Sequence, residues 1–217
     1  MLDHKYNSYE DLLKNNQEWV ENKLSKDKNY FEELSKPQKP PFLFIGCSDS
    51  RKPLNTITQT EPGEIFVHRN IANQISLTDM NFLSILEYAI LDLKVEHIIV
   101  CGHYNCGGVE AVYKGADGLV ENWIMPIKDL ALINKDELEK IDDMQQRIDR
   151  LAEINVVAQV KNLCKTSIIH KAFKKQEYPQ IHGWIFDIYC GKIKALELPL
   201  KEWKDKGIIP NCYYSQI

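Results

Sequence analysis

Two short segments of the chain carry the residue types that bind metal ions. Cys47 is followed by Asp49 and Arg51, and His103 stands three positions before Cys106. Two thiolates and an imidazole suit Zn²⁺, which takes soft sulfur and imidazole nitrogen in tetrahedral geometry. Three protein ligands leave one exchangeable position, as in catalytic zinc sites, whereas structural sites usually close with four. The donor set therefore favours a catalytic zinc site over a structural one.

Asp49 could act in two ways beside such a metal. Its carboxylate could fill the fourth coordination position, or Arg51 could keep it ionised to accept a hydrogen bond from water on the metal. A disulfide between Cys47 and Cys106 is a further alternative, but it would not account for Asp49, Arg51 or His103. A cysteine-phosphatase loop fails on spacing, because only three residues separate Cys47 from Arg51, too few to wrap a phosphate.

The other cysteines and histidines are assigned no chemistry. Cys101 and Cys190 are expected to be buried small hydrophobes. Cys164 and Cys212 stay unassigned thiols, and four histidines are interpreted as structural or surface residues: His68, His97, His170 and His182.

Two predicted strands would bring the metal-binding segments together. The run from Pro41 to Cys47 is short and nearly continuously apolar, which is typical of a buried parallel strand. A second such run, from His97 to Val100, is β-branched and leads directly into His103. In an open α/β sheet the functional crevice lies at the carboxyl ends of the strands. The two segments can therefore converge if their strands are neighbours.

The rest of the chain alternates between helical and strand patterns. The predicted elements are two amphipathic helices over 8–35 with a break near 25–27, a strand over 64–69, a helix from Thr78 or Asp79 through Asp92, a helix opened by Gly107 and Gly108, helical structure over 136–175, and strands over 178–188 and 192–198. This alternation implies βαβ units and a mostly parallel sheet covered on both faces.

Composition narrows the class of protein. The 217 residues are 44% hydrophobic and 27% charged, without a linker or repeat, so one domain of generous size is expected. The net charge of −4 is spread along the chain and disfavours nucleic-acid or anionic-membrane partners. Apolar runs are far shorter than the roughly 18 residues that cross a bilayer, and residues 1–20 do not resemble a signal peptide. Six cysteines, too few for a disulfide scaffold, favour a reducing, cytoplasmic location.

Four motifs together closely resemble those of the β-class carbonic anhydrases: Cys47-Ser-Asp-Ser-Arg51, Glu61-Pro-Gly-Glu64, Phe66-Val-His-Arg-Asn70 and Cys101-Gly-His-Tyr-Asn-Cys-Gly-Gly108. The match runs from about Gln38 to Trp184. The resemblance implies an α/β fold with a mostly parallel four-stranded core sheet, an added edge strand and helices on both faces. It implies one domain over 1–217, in which residues 1–36 form a helical arm that packs on a partner subunit. The implied assembly is a homodimer that can pair into a homotetramer.

The resemblance also implies an activity, the zinc-dependent reversible hydration of CO₂ to bicarbonate and a proton by attack of zinc-bound hydroxide. Cys47, His103 and Cys106 match the ligands of one Zn²⁺ per subunit. Asp49 and Arg51 match the catalytic dyad, and Asp49 matches a fourth ligand in a closed state of the site. The matched substrate-binding positions are Gln38, which acts across the dimer interface, Phe66 and Tyr88, which come from the partner subunit, Ile71, and Gly107, which lies beside the metal.

Two other functions are compatible with the same residues. One is hydrolysis of CS₂ or COS on this scaffold, and the other is a non-catalytic zinc-stabilised binding protein, which would have no use for the Asp49 and Arg51 pair. One departure from the family pattern concerns regulation. Some bacterial members bind a second, non-catalytic bicarbonate through Trp, Arg and Tyr, where this chain has Phe44, Arg69 and Phe186. The loss of two hydrogen-bond donors predicts that inhibition of that type is absent.

Overall fold

The computed structural model describes residues 8–175, 179–210 and 213. The chain divides into two compact units between Gln38 and Lys39, close to the predicted end of the arm at residue 36. The prediction of one domain over 1–217 stays a prediction.

The N-terminal unit contains helices α1 (Tyr9–Lys26) and α2 (Tyr30–Leu34), and the break at residues 27–29 begins at the end of the predicted break near 25–27. A capping box begins α1, because the Ser8 hydroxyl accepts the Asp11 N–H while the Asp11 carboxylate accepts the Ser8 N–H. Trp19 packs edge-on against both aromatic residues that open α2, Tyr30 and Phe31. These ring contacts hold the two helices together.

The described residues of the second unit form a five-stranded sheet. Its strands are β1 (Phe42–Cys47), β2 (Ile65–Asn70), β3 (His97–His103), β4 (Gln180–Asp187) and β5 (Lys192–Ala195). They lie in the order β2-β1-β3-β4-β5, and only β5 is antiparallel to its neighbour. This confirms the predicted mostly parallel four-stranded core with an added edge strand.

Helices connect the strands and cover the sheet. They are α3 (Leu54–Thr58), α4 (Met80–Tyr88) with a π-helical continuation (Ala89–Leu93), α5 (Gly107–Lys114), α6 (Leu119–Ile133), α7 (Lys135–Leu138), α8 (Met144–Cys164), α9 (Ser167–Lys175) and α10 (Leu200–Asp205), together with a 3₁₀ turn (Ile71–Asn73). Asp79 caps α4 as predicted, accepting the N–H groups of Asn81 and Phe82. No described helix is long and apolar enough to cross a membrane.

Several element boundaries differ from those predicted, and one helix was not predicted. The stretch 136–175 is broken into separate helices, because Asp143 caps the start of α8 and the Thr166 hydroxyl accepts the Ile169 N–H at the start of α9. Helix α6 was not predicted, and it contains Pro126. The last strand ends at Ala195 rather than 198. Residue 178, the predicted start of β4, lies outside the described residues.

The two faces of the sheet carry separate apolar clusters, because alternate residues of a strand point to opposite faces. The larger cluster joins Leu43, Ile45 and Val100 to helix α8. The smaller cluster includes Phe44, Ile99, Cys101 and Phe186 with Leu54 of α3. Helices therefore cover both faces, as predicted.

The remaining cysteines divide between core and surface. Cys101 is fully buried, as predicted, and Cys164 is also buried. The prediction that Cys190 is buried was wrong. Cys190 is exposed and its thiol donates to Asp187 Oδ2 at 3.0 Å, because the turn between β4 and β5 lies on the surface. Cys212 lies outside the described residues.

Candidate metal centre

The three predicted metal ligands come together at the carboxyl edge of the sheet. Cys47 ends β1 and His103 ends the neighbouring parallel strand β3, while Cys106 immediately precedes α5. Their ligand atoms all lie within 4.8 Å of one another. No other group of three His, Cys, Asp or Glu side chains in the described part of the chain has this geometry.

The spacing and burial of these atoms fit a tetrahedral metal. The two sulfur atoms, Cys47 Sγ and Cys106 Sγ, are 3.9 Å apart, far beyond the roughly 2.05 Å of a disulfide. Two sulfurs bound at about 2.3 Å to one tetrahedral Zn²⁺ would lie about 3.8 Å apart. The three side chains are almost fully buried. The disulfide alternative is therefore not realised, and the donor set suits zinc.

His103 is prepared to bind through one ring nitrogen. Its Nδ1 lies 2.9 Å from the Tyr104 carbonyl oxygen, to which it can only donate, so Nε2 is left with its lone pair. Nε2 is buried and has no hydrogen-bond partner among the described residues. An unsatisfied buried nitrogen costs free energy, and a metal ion at the centre of the cluster would satisfy it.

The two thiols share one hydrogen bond. Cys106 lies close enough to donate to Cys47, and this contact lowers the pKa of Cys47 and, together with burial, raises the pKa of Cys106. A metal ion would take both sulfurs as thiolates.

Asp49 and Arg51 form a bidentate pair beside the cluster. Arg51 Nε donates to Asp49 Oδ1 at 3.0 Å, and Nη2 donates to Oδ2 at 2.6 Å. Hydrogen bonding by the Arg51 side chain lowers the pKa of Asp49 to about 2, so the carboxylate is ionised at neutral pH. Asp49 Oδ2 lies 3.8 Å from His103 Nε2.

The segment that carries Asp49 is anchored from two directions. The Arg69 guanidinium donates to the carbonyl oxygens of Cys47 and Asp49 at 2.8 and 2.7 Å. Lys52 is fully buried, and its ammonium donates to the Cys101 carbonyl at 2.9 Å and lies over the Phe44 ring. Sequence reasoning missed Lys52, because nothing in its neighbourhood distinguishes it from a surface lysine.

Helix α8 contributes two further contacts that sequence reasoning missed. Asp149 Oδ1 accepts the backbone N–H of Asn105 at 2.8 Å, and Glu153 accepts the Tyr104 hydroxyl at 2.6 Å. The two carboxylates are one helical turn apart and hold consecutive residues of the loop between His103 and Cys106. The signal available in the sequence was a pair of acids four residues apart on a helix with a buried face.

The predicted substrate-binding residues occupy different surroundings. The rings of Phe66 and Tyr88 pack together, with centroids 5.9 Å apart, and Ile71 and Tyr88 are 40% and 45% exposed. Gly107 opens α5 directly after Cys106. Gln38 is exposed at the end of the N-terminal unit. Contact of these five residues with substrate, and the predicted contribution of Phe66 and Tyr88 to a partner's pocket, stay predictions.

Comparison with known proteins identifies the family. The family model for carbonic anhydrase matches residues 42–193. A carbonic anhydrase of Emericella nidulans is 39% identical over 192 residues, which cover 88% of this chain and 84% of the relative. The chain therefore belongs to the carbonic anhydrase family and is an enzyme of that family.

Solved structures define the class within the family. A tetrameric β-carbonic anhydrase of Sordaria macrospora is 39% identical with a TM-score of 0.84, over 88% of this chain and 98% of that one. A Coccomyxa β-carbonic anhydrase solved in complex with acetazolamide is 32% identical with a TM-score of 0.84, over 92% of each chain. The chain is thus a β-class carbonic anhydrase, as the sequence motifs predict.

Proposed function

We propose that this enzyme catalyses the reversible hydration of CO₂ to bicarbonate and a proton with one Zn²⁺ held by Cys47, His103 and Cys106. The observation that carries the proposal is the ionised Asp49 carboxylate, which lies 3.8 Å from His103 Nε2 beside a three-ligand cluster. A purely structural metal site would have no use for this carboxylate or for an open fourth position.

Each residue of the cluster has a defined task in this proposal. Cys47 and Cys106 act as thiolates, and His103 binds through Nε2 because its Nδ1–H is committed to the Tyr104 carbonyl. When bound, Zn²⁺ supplies Lewis acidity that lowers the pKa of water toward roughly 7. Asp49 accepts a hydrogen bond from the reacting water and so turns a lone pair of that water toward the carbon of CO₂.

The apolar wall of the pocket is assigned to Phe66, Ile71 and Tyr88. CO₂ carries no net charge, so a largely apolar surface with few polar groups suits it. We assign Gln38 as an amide donor to substrate across the dimer interface, and the Gly107 backbone as the wall beside the metal. The proton leaves for solvent buffer.

The assembly proposed is a homodimer in which the N-terminal helices of one subunit pack on the partner. Helix α1 has no buried residue in the single chain, and its apolar residues Tyr9, Leu12 and Leu13 are all at least 60% exposed. Exposed apolar stripes of this kind mark protein contacts. The tetrameric relative of Sordaria macrospora supports pairing of two such dimers.

A cytoplasmic location is part of the proposal. The five described cysteines are all free, which is usual for a protein kept in a reducing compartment.

Stopped-flow CO₂ hydration on zinc-quantified protein tests the proposed reaction. We expect rapid hydration by the wild type, and a loss of about 10²- to 10³-fold in Asp49→Ala with one zinc per chain retained. Cys106→Ala should lose the metal together with the activity. Cys190→Ser, which changes an exposed cysteine in the turn between β4 and β5, is the control and should retain both.

Absence of hydration in a protein that holds one zinc per chain would overturn the proposal. The same preparation would then be assayed with CS₂ and COS. Hydrolysis of either would identify the alternative hydrolase, and inactivity toward both would leave a zinc-stabilised binding protein.

A further inference from the structure

We propose that Asp149 of helix α8 is a positioning residue for CO₂ hydration, which holds the Asp49 carboxylate at the metal site by acting through Asn105 and Arg51. The inference rests on the proposed function. Four hydrogen-bonded groups in series connect α8 with the Asp49 carboxylate beside the cluster, although Asp149 itself has no hydrogen bond or ion pair with Asp49.

The first contact fixes the loop between two metal ligands. Asp149 Oδ1 accepts the Asn105 N–H at 2.8 Å and a hydrogen bond from Gln145 Nε2 at 3.1 Å. Asn105 has a φ of 53°, in the left-handed region that non-glycine residues seldom adopt and that asparagine tolerates better than most. The charge-assisted hydrogen bond that Asn105 donates to Asp149 therefore supports a backbone conformation that Asn105 does not strongly prefer by itself.

The second contact passes from the loop to Arg51. In the left-handed conformation Asn105 presents its carbonyl oxygen to Arg51 Nη2 at 3.0 Å, while its N–H faces Asp149. The same Nη2 donates to Asp49 Oδ2 at 2.6 Å. The Arg51 side chain is 46% exposed, so the Asn105 carbonyl restrains an arginine that otherwise has considerable freedom.

Asp149 has no competing ionic role. The neighbouring Glu153 pairs with Arg150 and Lys194. Asp149, in contrast, forms no ion pair with any residue that the structure describes. Its carboxylate instead accepts hydrogen bonds from the Asn105 N–H and the Gln145 side chain. This arrangement is expected of a group that orients a loop.

The test compares Asp149→Ala with Asp149→Asn, which keeps a side-chain carbonyl able to accept the Asn105 N–H. Gln146→Ala is the control, because Gln146 is an exposed residue of the same helix three positions away. For each protein, zinc content, kcat and KM for CO₂ hydration and a crystal structure are determined. We expect Asp149→Ala to keep one zinc per chain and to lose about 10-fold or more in kcat, as for other groups that orient a metal site's residues.

Three results together would support the proposal. Asp149→Asn should recover most of the kcat, and Gln146→Ala should match the wild type. In the crystal structure of Asp149→Ala, the contact between Arg51 Nη2 and the Asn105 carbonyl should be broken and the Asp49 carboxylate displaced. Adding Asp149→Ala to Arg51→Ala should lower kcat little further, because both changes interrupt one series of contacts.

Two results would overturn the proposal. One is a fully additive loss of kcat when Asp149→Ala is combined with Arg51→Ala. The other is an Asp49 carboxylate that has not moved in the crystal structure of Asp149→Ala. If Asp149→Ala does not fold, the crystal structure and kcat of Asp149→Asn decide. A retained contact between Arg51 and the Asn105 carbonyl with a retained kcat supports the proposed series of contacts. A retained contact with a lost kcat contradicts it. A wild type that hydrates no CO₂ would overturn the proposed function alone, because the crystal structures still show whether Asp149 positions Asp49.

Discussion

The Tyr104 hydroxyl donates a hydrogen bond to Glu153 at 2.6 Å. Tyr104 directly follows the metal-ligand candidate His103 in the chain. Glu153 is 8% exposed and also accepts hydrogen bonds from Arg150 and Lys194, both at 2.7 Å. Burial, together with the Glu153 charge, raises the pKa of Tyr104, so its hydroxyl stays a donor. One buried carboxylate therefore joins α8, the edge strand β5 and the loop between His103 and Cys106, here called the metal loop.

Tyr104→Phe removes a single hydroxyl from this group. Because Glu153 keeps its two cationic partners, we expect a loss of about 1 kcal/mol in the free energy of unfolding rather than the larger cost of an unpaired buried charge. Urea unfolding at fixed protein concentration measures this loss in the free energy of unfolding. Tyr189→Phe, which alters a tyrosine that is 62% exposed, is the control and should change little. Equal losses in the two variants would refute the assigned role.

Glu153 should also make stability depend on pH. Burial raises its pKa, but hydrogen bonds from Lys194, Tyr104 and Arg150 outweigh that effect, and the net pKa lies below the ordinary value of 4.5. A carboxyl group with a lowered pKa in the folded state stabilises the protein above its unfolded pKa. This contribution is lost as the pH falls through the lower, folded pKa.

Comparison of the wild type with Glu153→Gln isolates this effect, since the loss of the proposed metal in acid would affect both proteins alike. We expect Glu153→Gln to be the less stable at pH 7 and the difference to shrink below about pH 4.5. Glu121→Gln, in an exposed pair with Lys128, should differ from the wild type by less than about 0.5 kcal/mol throughout. A Glu153→Gln difference that is constant between pH 3 and pH 7 on chemical unfolding curves would contradict the assignment.

Removal of the metal should expose the reactivity of the two ligand cysteines. Cys47 and Cys106 are almost fully buried, and in the proposed zinc form both would be coordinated, so we expect slow alkylation by iodoacetamide. After extraction with a chelator, both should react faster and the thermal midpoint should fall, because binding to the folded state alone stabilises it. Peptide mass mapping follows each cysteine, and exposed Cys190 provides the reference rate. Unchanged rates at Cys47 and Cys106 after verified zinc loss would argue against coordination.

Two adjacent glycines offer a matched pair of substitutions in α5. A Cβ on Gly108 would lie 2.8 Å from Ile71 Cγ2 and 3.1 Å from Ala72 Cβ, whereas a Cβ on Gly107 would meet nothing within 4 Å. We expect Gly108→Ala to cost about 1–3 kcal/mol of stability through overpacking and Gly107→Ala to cost little or nothing. Chemical unfolding measures both. Equal effects of the two substitutions would show that the close approach of Ile71 to α5 is unimportant.

Local patterns in the sequence determined the elements around the site. The apolar run of β1 and the β-branched run of β3 predicted buried parallel strands, and such strands place the residues that follow them at one edge of the sheet. Residue types and short spacings then sufficed to select Cys47, His103 and Cys106, because the donor preference of zinc depends on the side chains themselves. The short break between α1 and α2 was also predicted from the local sequence alone.

Only the tertiary structure decided which distant side chains hold those residues in place. Asp149 and Glu153 face the metal loop rather than solvent, and Lys52 is buried against Phe44 rather than exposed. A charged residue is normally a surface residue, and its local sequence does not specify which backbone groups approach it after folding. Those partners are set by the packing of α8 and the turn after β1 on the sheet, which brings together residues more than forty positions apart.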